Sequence, residues 1–271
     1  MKKRVEPLAA EVGSKIVLPC DVTDKASCEA AIAQAVKQFG RIDRAGYARY
    51  LGQLLHVHLA LETQLCRLAA EHRVFGLIVR EHHMRTPDLL ADLEVLGQCL
   101  SKHPPLPATG LFRERIDGLA ADAPVGLVGT LYVLEGSTNG GRYIAPAVRR
   151  ALGLIERGGI ASGTEYLDPH GDRQQDRWSF FKASLDVLTL SPAECDLIVA
   201  VASDAFRGVH DIFQDLTHPP HAHHPYVSHH APGPTAAAEP AMTPARTRVR
   251  DSVSVCIRRP AEKEVRTTHQ P

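Results

Sequence analysis

Residues 131–144 read LYVLEGSTNGGRYI, and their chemistry lies in what they lack. The flanks are good helix, yet Gly136, Ser137, Gly140 and Gly141 strip the centre almost to backbone. Each glycine inside a helix costs about 1 kcal/mol relative to alanine, so three cost roughly 3 kcal/mol. A compensating contact is required. One reading is close helix–helix packing, because Gly136 and Gly140 are four apart and share a face. A second breaks the helix at Glu135 and makes STNGG a loop. The third lays a bent helix across a planar ligand, with backbone and small polar groups against its face.

Other residues that could do chemistry are histidines and cysteines. The chain has fifteen His and six Cys in 271 residues. The cysteines lack CxxC spacing, which points to reduced thiols in a cytoplasm. His56 and His58 sit in a long amphipathic pattern, where a histidine is more often a satisfied core residue than a ligand. His82 and His83 in REHHMR read as a polar helix end or loop. The histidines at 218, 221, 223, 224, 229 and 230 fall in a Pro-interrupted stretch that resembles no structured metal site.

Three segments must position these groups. Residues 1–43 have βα character: the apolar run in SKIVLPCDV suits a strand, and ASCEAAIAQAVKQFG suits a helix with Ile32, Val36 and Phe39 on one face. Residues 44–216 are helical in period. AGYARYLGQLLHVHLALETQLCRLA (45–69) repeats through Tyr47, Leu51, Leu54, Leu55, His58, Leu61, Leu65 and Leu68. TPDLLADLEVLGQCL (86–100) starts with Thr86 as N-cap and Pro87 behind it, and HPPLP (103–107) is a break. Helices are expected from APVGLVGTLYVLEGS, over APAVRRALGL (145–154), RWSFFKASLDVLTL (177–190) and SPAECDLIVAVASDAFRGVHDIF (191–213). Residues 217–271, rich in His, Pro and Ala, cannot bury enough surface to offset their ordering entropy and read as a disordered tail. The fold class is therefore all-α, a multi-helical bundle with a short N-terminal βα fragment.

Composition excludes several roles. Lys+Arg and Asp+Glu are equal at 31 each, so no nucleic acid or anionic membrane is expected as partner. No apolar run is long enough to span a bilayer and no secretory signal is present, so a cytoplasmic location is expected.

YVLEGSTNGG resembles the distal helix of bacterial heme oxygenases, particularly those found alongside phytochromes. RAGYARYLGQLLHVHLALE is similar to that family's second helix, DLLADLEVLG to its third, and YLDPHGDRQQDRWSFFKASLD to its glycine turn followed by W-x-x-F. The resemblance covers about residues 44–214 in the right order. It implies a heme oxygenase-like bundle with heme as both substrate and cofactor, O2 bound at the iron, and electrons from a reductase or ferredoxin. Biliverdin, CO and Fe(II) are the implied products, with a phytochrome as a receiver of biliverdin. Gly136, Ser137, Gly140 and Gly141 would then lie over the heme. Ser137 falls where better-known members carry a carboxylate that orders distal water. Arg177, Lys182 and Arg142 are the candidate propionate partners.

The same resemblance places the iron ligand on the first helix, well before Tyr47, but no histidine precedes His56. His56 and His58 are the remaining candidates for iron; Cys28 is a structural thiol. Residues 3–43 resemble an internal piece of an enoyl-acyl-carrier-protein reductase, in which Asp21-Val22 would meet adenine. The glycine-rich pyrophosphate turn and the Tyr/Lys pair are both missing. The expectation is a heme oxygenase impaired by the loss of its axial histidine. The alternatives are a non-catalytic or vestigial tetrapyrrole-binding protein and, on residues 3–43 alone, an NADH-dependent reductase fragment.

Overall fold

The computed structural model describes residues 43–154 and 163–217. The expected βα unit at 1–43 (all but Asp43) and the tail from 218 lie outside the described residues. Within them are seven α-helices and no strand.

Helix α1 (Arg44–Glu71) opens on Asp43, whose carboxylate accepts the Gly46 N–H at 2.6 Å. All eight positions of its apolar repeat, His58 included, are buried. Short α2 (Arg73–Ile78) follows, and its Phe75 and Ile78 close over the end of α1.

Helix α3 (Thr86–Val95) differs from expectation at both ends. Thr86 is its first helical residue rather than its cap, and Arg85 stands at the N-cap. The capping group comes from α1: Glu62 Oε1 accepts the Arg85 and Thr86 N–H groups at 2.6 and 3.0 Å. The helix stops at Val95 because Gly97 turns left-handed at φ 71°.

HPPLP is a break only as far as Leu106. Pro107 starts α4 (Pro107–Asp122), for which the sequence reading named no separate helix. Asp215 supplies the capping carboxylate, accepting the Ala108 N–H at 2.8 Å.

Two expected helices are one. Helix α5 (Leu127–Leu152) runs unbroken through EGSTNGG and contains Pro146. The predicted break at Glu135 is absent because neighbouring elements hold both flanks. A Cβ on Gly129 would overlap the Ile198 carbonyl of α7, so those backbones touch. Helix α6 (Gln174–Asp186) and α7 (Pro192–Thr217) complete the set. Ser191 and Glu194 cap α7 reciprocally.

Two apolar clusters lie along α1. One joins Tyr47, Leu51 and Leu55 to Leu89, Leu93, Val148 and Leu167. The other joins Leu61 and Leu65 to Phe112, Leu131, Phe181 and Ile212. Among the buried polar residues of the bundle are His58, Glu62, Thr86, Glu135 and His170, each in contact with a partner from another element or from its own helix. No described helix is long and apolar enough to cross a membrane.

Candidate functional site

On α5, three consecutive side chains fold back onto their own helix. Ser137 Oγ donates to the Leu134 carbonyl (2.7 Å), Thr138 Oγ1 to Glu135 (2.6 Å) and Asn139 Nδ2 to Gly136 (3.1 Å). This leaves a stretch of helix with almost no projecting bulk. Beside it is a groove of about 250 Å³. Tyr50 and Leu54 of α1, Gly136 and Ser137 of α5, Tyr166 of the α5–α6 link and Phe206 of α7 are among its walls. Phe206 is 64% exposed, and Phe213, one turn pair further along α7, is 44% exposed and stacks on Tyr50 at 5.0 Å. Large rings left open around a groove make it the candidate binding surface.

The glycines divide in their roles. Gly140 faces open space, with nothing near the position of an added Cβ. Gly136 meets the Trp178 ring, which a Cβ would reach at 3.3 Å. Gly141 is used otherwise: its missing Cβ makes room for the Leu167 backbone. The packing reading therefore accounts for Gly141 and in part for Gly136, which lies under the Trp178 ring; Gly136 and Ser137 line the groove, and Gly140 is not among its walls.

The link that carries Leu167 is anchored by Asp92 of α3, which accepts the Glu165 and Tyr166 N–H groups at 2.8 and 3.0 Å. Burial, aided by a shared hydrogen bond with the Glu165 carboxyl, pushes Asp92 up to about 9. This fixes Tyr166 in the groove wall. Burial likewise raises the phenols of Tyr166 and Tyr50 well above their ordinary range, so both stay protonated.

Behind α5 lies a second polar group. His170 Nε2 meets Glu135 Oε1 at 3.3 Å, both side chains buried. Burial opposes the Glu135 charge, but His170, His83 and Arg85 outweigh it and hold the carboxyl below its usual range. Burial lowers His83 to about 3, and burial with nearby Arg177 lowers His82 to about 4.

The candidate cations occupy different places. Arg177 Nη1 contacts His82 Nδ1 at 3.2 Å, within this polar group. Arg142 lies 3.8 Å from Asp172. Lys182, 5.7 Å above the Trp178 ring, opens on a surface hollow that shares Tyr132 with the groove.

Neither candidate histidine lines the groove. His56 Nε2 donates to the His103 carbonyl at 2.7 Å. His58 is 2% exposed, held between Glu62 at 3.2 Å and the Tyr166 hydroxyl at 3.4 Å. Among the described residues no group of three or more His, Cys, Asp or Glu side chains could hold a metal ion. The stretches that carry the resemblance contain Tyr50, Glu62, Asp92, Glu135, Tyr166 and His170, but sequence reasoning gave none of them a place in the site. Tyr166 and His170 lie in a link that carried no periodic signal.

The described features can be set beside known proteins. The family model described as heme oxygenase matches residues 21–215. The structure of heme oxygenase from Leptospira interrogans is similar at a TM-score of 0.59 and 26% identity, over 70% of this chain and 92% of that one. Heme oxygenase-2 from Synechocystis sp. PCC 6803, in complex with heme and NO, matches at 0.58 and 26%, over 65% and 72%. Heme oxygenase-1 from the same cyanobacterium, in complex with heme, shares the fold at 0.57 and 23% identity, over 65% of this chain and 79% of that one. Separately, 41 residues are 49% identical to enoyl-[acyl-carrier-protein] reductase [NADH] 2 of Rhizobium meliloti (strain 1021), and this chain spans 15% of that enzyme's length.

Proposed function

The chain belongs to the heme oxygenase family, and on that footing we propose that the groove beside α5 receives the face of a heme. The observation that carries this is the groove wall at Gly136 and Ser137, which offers backbone and hydroxyl oxygen to a flat ligand, with open space at Gly140 one turn further along the helix. The residues fit the porphyrin: aromatic and aliphatic walls for the ring, and a lysine near the opening for an acidic edge.

Bound heme supplies the iron that activates O2 and the meso carbon that is oxidised, with biliverdin, CO and Fe(II) as products and a reductase or ferredoxin as electron source. The chain's own residues do the rest. Leu54 and Phe206 would exclude water from the ring face, and Lys182 would pair with a propionate. Ser137 and Tyr166 bring hydroxyl groups to the α5 side, where they hold the site's exchangeable protons. Delivery of biliverdin to a phytochrome in the cytoplasm completes the proposed role.

The iron ligand is the weak point of the site. His56 and His58 are engaged elsewhere, and the sequence holds no earlier histidine. We therefore propose weakened heme affinity and little turnover. An absorbance titration with hemin, followed by addition of a reductant under air, tests both parts. Saturable binding with slow formation of a biliverdin spectrum is expected. Absence of binding would overturn the groove assignment, and rapid conversion would overturn the impairment.

A further inference from the structure

The wall of the groove contains a side-chain chain that the family reading does not use. The Tyr166 hydroxyl lies 3.4 Å from His58 Nε2, and His58 Nδ1 lies 3.2 Å from Glu62 Oε1. All three residues are buried, yet Tyr166 lines the groove.

Hydrogen-bond counting assigns the protons along this chain. Glu62 Oε1 already accepts two backbone N–H groups, from Arg85 and Thr86. An oxygen facing two such donors carries no proton of its own, so the proton in its contact with His58 sits on Nδ1. A neutral imidazole protonated at Nδ1 presents a lone pair at Nε2. Tyr166 O–H then donates to His58 Nε2, and the phenol oxygen is left as an acceptor toward the groove.

We infer that Glu62, His58 and Tyr166 form a proton-holding relay into the groove, taking the part that a carboxylate at position 137 would play. The transfer is balanced and involves no electrons. When a group in the groove gives a proton to the Tyr166 oxygen, the original phenolic proton moves to His58 Nε2, and the resulting imidazolium is stabilised by Glu62. The reverse passage delivers one proton to the groove. Tyr166 touches the ligand space, and His58 and Glu62 act through it as positioning residues. The other titratable or charged groups around the phenol are Tyr50 of α1 and Arg85 at the start of α3, with Asp92 holding its backbone.

The ligand in this inference rests on the heme reading, but the relay can be tested without heme. Histidine-selective ¹⁵N NMR on the full chain, with His58→Gln used to assign the signal, should show His58 protonated at Nδ1 with Nε2 accepting. A neutral His58 protonated at Nε2 would overturn the relay. In the hemin-loaded protein, Tyr166→Phe should move the pH midpoint of the ferric spectrum by at least about 0.5 unit. Identical pH midpoints in the two proteins would also overturn it. Should wild-type protein fail to bind hemin, the groove reading falls, and the tautomer measurement alone decides the relay.

Discussion

Gly141 and Leu167 touch backbone to backbone: the Cβ that Gly141 lacks would overlap the Leu167 carbonyl oxygen. This contact seats the α5–α6 link against the ligand-facing helix and so sets where Tyr166 enters the groove. Gly141→Ala forces the two backbones apart and should destabilise the protein by about 1–3 kcal/mol, read from urea unfolding. Gly140→Ala, made into open space, should be neutral or stabilising by up to about 1 kcal/mol. Equal effects of the two would remove the distinction between them.

Asp92 gives a pH signature. Its folded-state carboxyl is raised to about 9, so the stability it contributes is complete below its unfolded value and is lost as pH rises toward 9. Asp92→Asn removes the titrating carboxyl but sets an amide NH2 against one of the two backbone N–H groups that Asp92 accepts. The variant should start below wild type near pH 4 and close that gap with rising pH, by up to about 1.4 kcal/mol per unit. Unfolding curves at several pH values between 4 and 9 report this difference. A constant offset would mean that Asp92 titrates normally.

His170 holds the Glu135 charge inside the protein. His170→Phe leaves that carboxylate with only His83 and Arg85 nearby and should cost about 2–4 kcal/mol. The double variant with Glu135→Leu should be less destabilised than the sum of the two single changes, as a double-mutant cycle would record.

Much of the bundle was legible because the long helices carry their period openly. The eight-position repeat of α1 and the Ser-Pro start of α7 both correspond to observed elements. What the sequence hid was chemistry supplied from a distance. The caps of α3 and α4 come from Glu62 and Asp215, far away in the chain, so Thr86 was misplaced as a cap and α4 went unnamed. The continuity of α5 likewise depends on Gly129 meeting α7 and Gly141 meeting the link, contacts that no local pattern announces. At the site, glycine spacing revealed a thin helix but not which glycine served packing. Tyr166 lay in an aperiodic link whose position only Asp92 defines.

The cations should separate in their effect on hemin. Lys182→Glu should weaken hemin binding by about tenfold, equivalent to about 1.4 kcal/mol. Arg142→Ala, whose side chain lies beside Asp172, should stay within about threefold of wild type in the same fluorescence-quenching titration. The opposite order would place the acidic edge of the ligand beside Arg142 instead of Lys182.

The account turns on a flat ligand that extends from the groove wall at Gly136 and Ser137 along α5 across Gly140, one turn on, and the most direct measurement compares hemin affinity in wild type and Gly140→Leu with thermal unfolding of both. The account predicts that Gly140→Leu unfolds at or above the wild-type temperature yet binds hemin at least about tenfold more weakly. Undiminished hemin affinity in a folded Gly140→Leu protein would contradict it.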